Sequence, residues 1–196
     1  GPSEKVFNMK RFLLILFLTF SFQTLSKADD IRDFQIEGIS IGDSLLDYYS
    51  KDELEKDFFY DDKKWAAISM ADSNFKTYGG FQVHVKGNDE KYIIGAIEGM
   101  ILYRDNIEKC YLKQKEISLE LDKLLINSKK DEWEKIHAAD KNSTTKAITY
   151  NLGSGDKIGI YCYDWSDDNK NKFVDKLGVL IKSKKFNYWL NNKAYN

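Results

Sequence analysis

Few side chains in this chain could do chemistry, and they are widely spaced. Ser44 sits in Ile41-Gly42-Asp43-Ser44-Leu45. The two histidines are His84 and His137, Asp140 follows the second by three residues, and the cysteines are Cys110 and Cys162. A serine hydroxyl becomes a useful nucleophile only when a base takes its proton and an acid orients that base. Ser44, His137 and Asp140 are the residue types from which such a triad could be drawn. His84 lies between Val83 and Val85, on the Gln82 side of an alternating stretch. That pattern predicts a solvated or hydrogen-bonded surface histidine. His137, close to Trp133 and Asp140, reads more simply as a histidine at a helix end beside an acid.

Other chemistries find less support. Asp164-Trp165-Ser166-Asp167-Asp168-Asn169 opens like a calcium loop, but such a loop needs Gly at its sixth position and Glu at its twelfth. Those places hold Asn169 and Asp175 counted from Asp164, or Lys172 and Gly178 counted from Asp167. No His/Cys cluster has zinc spacing, and Gly153-Ser154-Gly155 lies between strands rather than before a helix. The sequence therefore implies no metal and no cofactor. Tyr161, Tyr163 and Trp165 share one face of an alternating strand, opposite Ile158, Ile160 and Cys162. They form either a second buried layer or an aromatic platform for a sugar ring or a partner peptide.

The elements that must position these groups follow from periodicity. Residues 107–128 predict a long helix with Ile107, Cys110, Ile117, Leu121 and Leu124 on its apolar face. Cys162 and Cys110 then point into one core. A bridge between them would close about fifty residues and contribute on the order of 4 kcal/mol. Ile36–Ile41 reads as extended. Ser44 with Asp47, and Ser50 with Glu53, head a pair of short helices. Trp65–Met70, Phe81–Val85 and Tyr92–Tyr103 read as strands, and residues 131–138 as a shorter helix. Residues 146–152 and 157–164 form a hairpin, Phe173–Ile181 a last strand and Phe186–Leu190 a closing helical turn. Helices grouped around antiparallel strands define an α+β fold: an antiparallel β-sheet with an N-terminal short helix pair and one long packed helix.

Composition sets the outer bounds. Residues 1–8 read as an expression remnant or upstream read-through. Residues 9–28 read as a signal peptide, with Lys10 and Arg11 ahead of an apolar core from Phe12 to Phe22 and Ser26-Lys27-Ala28 before the cut. Residues 29–196 then form a single globular domain. With the leader go four of 30 basic and one of 31 acidic residues, leaving a net charge of −4. This excludes nucleic acid as a natural partner. It suits an exported, periplasmic or secreted chain with no stable membrane anchor after cleavage. Its partner would be an envelope protein, a small molecule or a glycan.

Gly42-Asp43-Ser44-Leu45 is similar to the first block of the GDSL esterases and lipases, which implies a Ser44 nucleophile on a flavodoxin-like parallel sheet. The later blocks of that family are not matched. Gly87-Asn88-Asp89 is one residue short of its Gly-x-Asn-Asp, and Glu134-Lys135-Ile136-His137 stands nearest to its closing Asp-x-x-His. Residues 41–56 also resemble the start of envelope modules of the SmpA type and of β-lactamase-inhibitor-like domains, without the lipid-attachment cysteine of the former. The opening Ile36-Glu37-Gly38-Ile39-Ser40 through Ser50 resembles exported proteins of marine alphaproteobacteria, which implies no particular activity. The reading favoured by the residues is a non-enzymatic binding or envelope-interaction module, with a Ser44 esterase as the alternative.

Overall fold

The computed structural model describes residues 30–71, 74–104, 106–137, 140–169 and 173–194, so the remnant and signal-peptide readings of residues 1–28 lie outside the described residues. A two-stranded hairpin, β1 (Gln35–Ile36) and β2 (Ile39–Ser40), precedes β3 (Phe58–Phe59), β4 (Trp65–Met70), β5 (Gly80–Lys86) and β6 (Ile94–Arg104). Helix α1 (Ile107–Leu124) leads to β7 (Lys129–His137), β8 (Asp140–Asn151), β9 (Lys157–Asp164) and β10 (Asp175–Lys182), and α2 (Lys184–Asn192) follows. The large sheet has eight strands in the order β3-β4-β5-β6-β10-β9-β8-β7. It consists of two four-stranded antiparallel meanders joined along β6 and β10.

Alternation makes the strands two-faced. Phe81, Val83 and Val85 are fully buried on the inner face of β5, with Ile97, Val179 and Ile160 beside them across the sheet. Helix α1 packs on this face. Its N-cap Asn106 accepts the Lys109 N–H at 3.1 Å, and Cys110, Gln114, Ile117, Ser118 and Leu121 repeat at helical spacing on its buried side. The N-terminal segment covers the rest of the face with Ile31, Phe34, Ile36, Ile41 and Leu45. Cys110 and Cys162 are fully buried and disulfide-bonded, with Cα atoms 6.0 Å apart across a separation of 52 residues. The bridge therefore pins α1 to β9, and the loop it closes is worth about 4 kcal/mol in the chain-entropy account.

The α+β sheet is as the alternation implied, and three local expectations are corrected. Residues 131–138 are not helical: β7 runs through them, with Trp133 opposite Ala147 and Asp131 opposite Thr149. Their Glu/Lys-rich composition favours helix locally, but pairing along the hairpin with β8 overrides it. Helix α1 ends at Leu124 rather than 128, because Leu125 leaves the helical conformation (φ −103°, ψ 45°) and the Ser128 N–H closes a turn onto its carbonyl at 3.0 Å. The N-terminal helix pair is replaced by two single 3-10 turns, Leu45–Asp47 and Lys51–Glu53. Neither has room to grow. Ser44 is held in a bridge to Ile93, and the Asp57 N–H is already bonded to the Ala67 carbonyl as the chain enters β3. No helix among the described residues is long and apolar enough to cross a membrane.

Candidate functional site

The outer face of the sheet divides in two. Over β4, β5 and β6 it is closed by α2, whose N-cap Ser183 accepts the Phe186 N–H at 3.3 Å. Phe186 and Trp189 pack there on Trp65, Tyr60 and Ala96. Over β7 to β9 no helix among the described residues packs: α1 lies against the other face, and the cluster around α2 reaches no further than Leu180 of β10.

The open half is surfaced by large rings lying on small residues. Reading across the strands, one row runs Met100, Gly178, Tyr161, Ala147, Trp133, and the next Leu102, Lys176, Tyr163, Thr145, Lys135. Tyr161 lies flat on Gly159, where a Cβ would overlap its ring and hydroxyl. Glu98 likewise lies on Gly178, where a Cβ would overlap its carboxylate. Tyr161 stacks with Tyr163 at a centroid separation of 6.1 Å and meets Trp133 edge-on at the same distance. Lys176 Nζ lies 5.0 Å from the Tyr163 ring centre, and Lys135 Nζ lies 5.1 Å from that of Trp133. Ammonium groups over ring faces are attracted by the ring quadrupole.

Electrostatically the centre of this half is unusual. Glu98 is buried, and the Tyr163 hydroxyl donates to its Oε1 at 3.5 Å. Burial raises the Glu98 carboxyl above its ordinary range, against the pull of Lys176 and Lys182. Burial also raises the Tyr161 and Tyr163 phenols, with the Glu98 charge adding to it. Lys182 is lowered to about 8 by burial and then by Lys157, and Glu98 opposes both.

The residues singled out from sequence fall in three places. Ser44 Oγ donates to the Lys91 carbonyl at 2.6 Å and accepts the Leu46 N–H at 3.2 Å, capping the first 3-10 turn. Asp43 accepts the Ser40 N–H at 3.0 Å and the Tyr48 hydroxyl at 2.7 Å; that hydrogen bond is the chief cause of a Tyr48 phenol pushed up to about 12. The Gly42 N–H donates to Ile94. This segment ties the N-terminal hairpin to the start of β6.

His137 and Asp140 lie at the other end of the strands. The His137 ring is 4.4 Å from that of Trp165, whose backbone N–H donates to the Asp175 carboxylate at 2.9 Å, and Asp175 lies across the strands from Arg104 at the end of β6. Asp140 Oδ2 accepts hydrogen bonds from the Ser143 hydroxyl and, at 2.8 Å, from the Ser166 hydroxyl. With 11 residues in β6 at about 3.3 Å each, Ser44 stands roughly 30 Å along the sheet from this cluster. The structure does not bring Ser44 together with His137 and Asp140.

His84 is corrected from a surface residue to a buried one, 6% exposed. Its side of β5 is polar in sequence, but α2 covers it. Its Nδ1 is 3.3 Å from the Tyr60 hydroxyl and its ring 4.7 Å from Phe186. Burial first, then the Lys182 charge, lowers it to about 4.

Tyr161, Tyr163 and Trp165 do share the outer face, and they are not equally accessible. Tyr161 and Trp165 are buried, the latter between His137 and Phe173 at 4.3 Å, whereas Tyr163 is half-buried. Trp133 and Glu98 were missed. The signal for Trp133 was the period-two spacing Trp133, Lys135, His137, hidden by helix-favouring neighbours. The signal for Glu98 was a lone acid inside an apolar run. Among the described residues no group of three His, Cys, Asp or Glu is placed to hold a metal ion.

Fold and site together define a class, an α+β sheet protein with a disulfide-pinned helix and a half-open aromatic face. No family model, curated protein or solved structure matches the chain.

Proposed function

We propose that this chain is an exported, non-enzymatic binding module of the cell envelope that takes a ring-bearing anionic ligand, an acidic glycan, on the open half of its outer sheet face. One observation carries the reading: rings lie there with no helix over them among the described residues, while the matching half is closed by α2. Trp133 and Tyr163 supply faces on which a sugar ring can stack, with polar tips and stems at the margin. Charge favours an anion. The strands place Lys129, Lys135, Lys157, Lys176 and Lys182 on this half, against Asp131 and the buried Glu98, in a chain whose net charge is −1. Small residues on this face (Gly159 beneath Tyr161, Gly178 beneath Glu98, and Ala147 between Tyr161 and Trp133) keep the surface flat enough for an extended chain.

The test is a titration with uronate-containing and neutral oligosaccharides of equal length, followed by Trp fluorescence and amide chemical shifts. Shifts centred on Trp133 and Tyr163 with the acidic series, lost in Trp133→Ala, support the reading. Shifts elsewhere, or none with either series, overturn it. A fluorophosphonate probe that labels the protein but not Ser44→Ala would instead establish an esterase.

A further inference from the structure

Helix α1 presents to solvent a face that packing against the sheet does not require. Leu112 and Leu119 are 70% and 53% exposed and lie one heptad apart, on the side opposite Cys110, Ile117 and Leu121. Two exposed leucines need no explanation alone. The charges around them form an ordered series. Glu108 and Lys109 stand one turn before Leu112, Lys115 and Glu116 stand between the leucines, and Asp122 and Lys123 stand one turn after Leu119; all six are exposed. The series therefore reads acid-base, Leu, base-acid, Leu, acid-base. Read backwards, every charge is replaced by its opposite.

We infer that this face recognises a second copy of the same chain, the two α1 helices lying antiparallel about a two-fold axis that passes between Lys115 and Glu116. In that register Leu112 meets Leu119 of the other copy. Lys115 then faces Glu116, Glu108 faces Lys123, and Lys109 faces Asp122, each pair occurring twice as an isologous contact requires. A parallel arrangement would set each charge against its own like, which is repulsive. The flanking residues do not oppose the match: Tyr111 faces Glu120 and Lys113 faces Ser118. Contacts within each chain hold the face in place. Lys113 pairs with Glu116 at 2.9 Å, Lys123 pairs with Glu120 at 2.9 Å, and Asp122 also holds Lys130 at 2.9 Å. The Cys110–Cys162 bridge fixes the helix from behind. An 18-residue helix is about 27 Å long, so the contact lies at the small end of specific interfaces and the dimer is weak and weakened by salt.

Sedimentation velocity of the purified protein, from micromolar to millimolar concentration at low ionic strength, tests this. Wild type is expected to pass from monomer to dimer. Lys115→Glu sets acids against acids at the axis, and Glu116→Lys sets bases against bases. Each is expected to weaken self-association at least about tenfold. An equimolar mixture of the two variants restores it as a heterodimer, because one copy's paired acids then face the other's paired bases. All these side chains are exposed, and unchanged circular dichroism verifies the fold. A monomeric wild type across the range, variants that dimerise like wild type, or a mixture that stays monomeric would each overturn the proposal. It stands apart from the ligand reading, since α1 lies on the opposite side of the sheet from Trp133.

Discussion

The two halves of the outer sheet face are built alike and finished differently. In each, a large ring lies on a glycine: Trp65 on Gly95 in one, Tyr161 on Gly159 in the other. In the first half α2 then covers the rings. Phe186 sits 5.0 Å from Trp65, Trp189 sits 4.7 Å from Tyr60, and the Trp189 Nε1–H donates to Asp62 at 2.7 Å. In the second half the rings lie against one another, with the Lys176 and Lys135 ammonium groups near Tyr163 and Trp133. Burying an aromatic side chain contributes several kcal/mol; in the open half Tyr161 and Trp165 are buried by neighbouring side chains, while Trp133 and Tyr163 stay half-exposed. The half-exposed Trp133 and Tyr163 are what that half leaves for something else to cover.

Removing the cover should have the largest effect. Trp189→Ala takes out a ring with three aromatic neighbours and should cost about 3–5 kcal/mol, read as a lower denaturation midpoint. If it costs less than about 1 kcal/mol, the two halves do not differ in the way described. Acid should attack the same half next. His84 is neutral when folded, with a pKa of about 4 against 6.5 when unfolded. Its contribution is complete above about pH 6.5 and is lost as pH falls toward 4, to the extent of about 3 kcal/mol. Urea melts across that range in wild type and His84→Leu check this, since the variant should lose most of the slope. In the open half, Gly159→Ala should cost about 1–3 kcal/mol by lifting Tyr161, with a change in the near-ultraviolet circular dichroism. Smallest of all, Trp133→Ala, at a half-exposed edge site, should change stability by no more than about 1 kcal/mol.

These contrasts also show what could be read from the residues and what could not. The inner face was legible because its alternation is strong. Phe81, Val83, Val85, Ile158, Ile160 and Cys162 announce strands and a side, and Cys110 on the apolar stripe of α1 announces its partner. The outer face was not, because its cover comes from far away in sequence. His84 looks solvated until α2, a hundred residues later, is laid over it. The strand β7 was misread for a related reason: local composition favours helix, and only β8 supplies the pairing that overrules it. Ser44 was legible as a helix-capping residue, and its hydrogen bonds to Lys91 and Leu46 are those of a cap.

The seam between the meanders has a consequence in time. Each meander pairs strands that are neighbours in sequence, so each can form soon after its own residues are available. The seam sets Ala96 against Lys182 and Arg104 against Asp175, so β6 waits with one edge unpaired while four further elements are made. An edge of that length is a template for pairing with another chain. Contacts so distant in sequence slow folding, because the intervening chain must first be ordered. For a chain that emerges amino end first, the dangerous interval begins when β6 appears and ends only when β10 docks. Substitutions along Asp175–Lys182 should therefore reduce yield on refolding more than equally destabilising ones in β4 or β5.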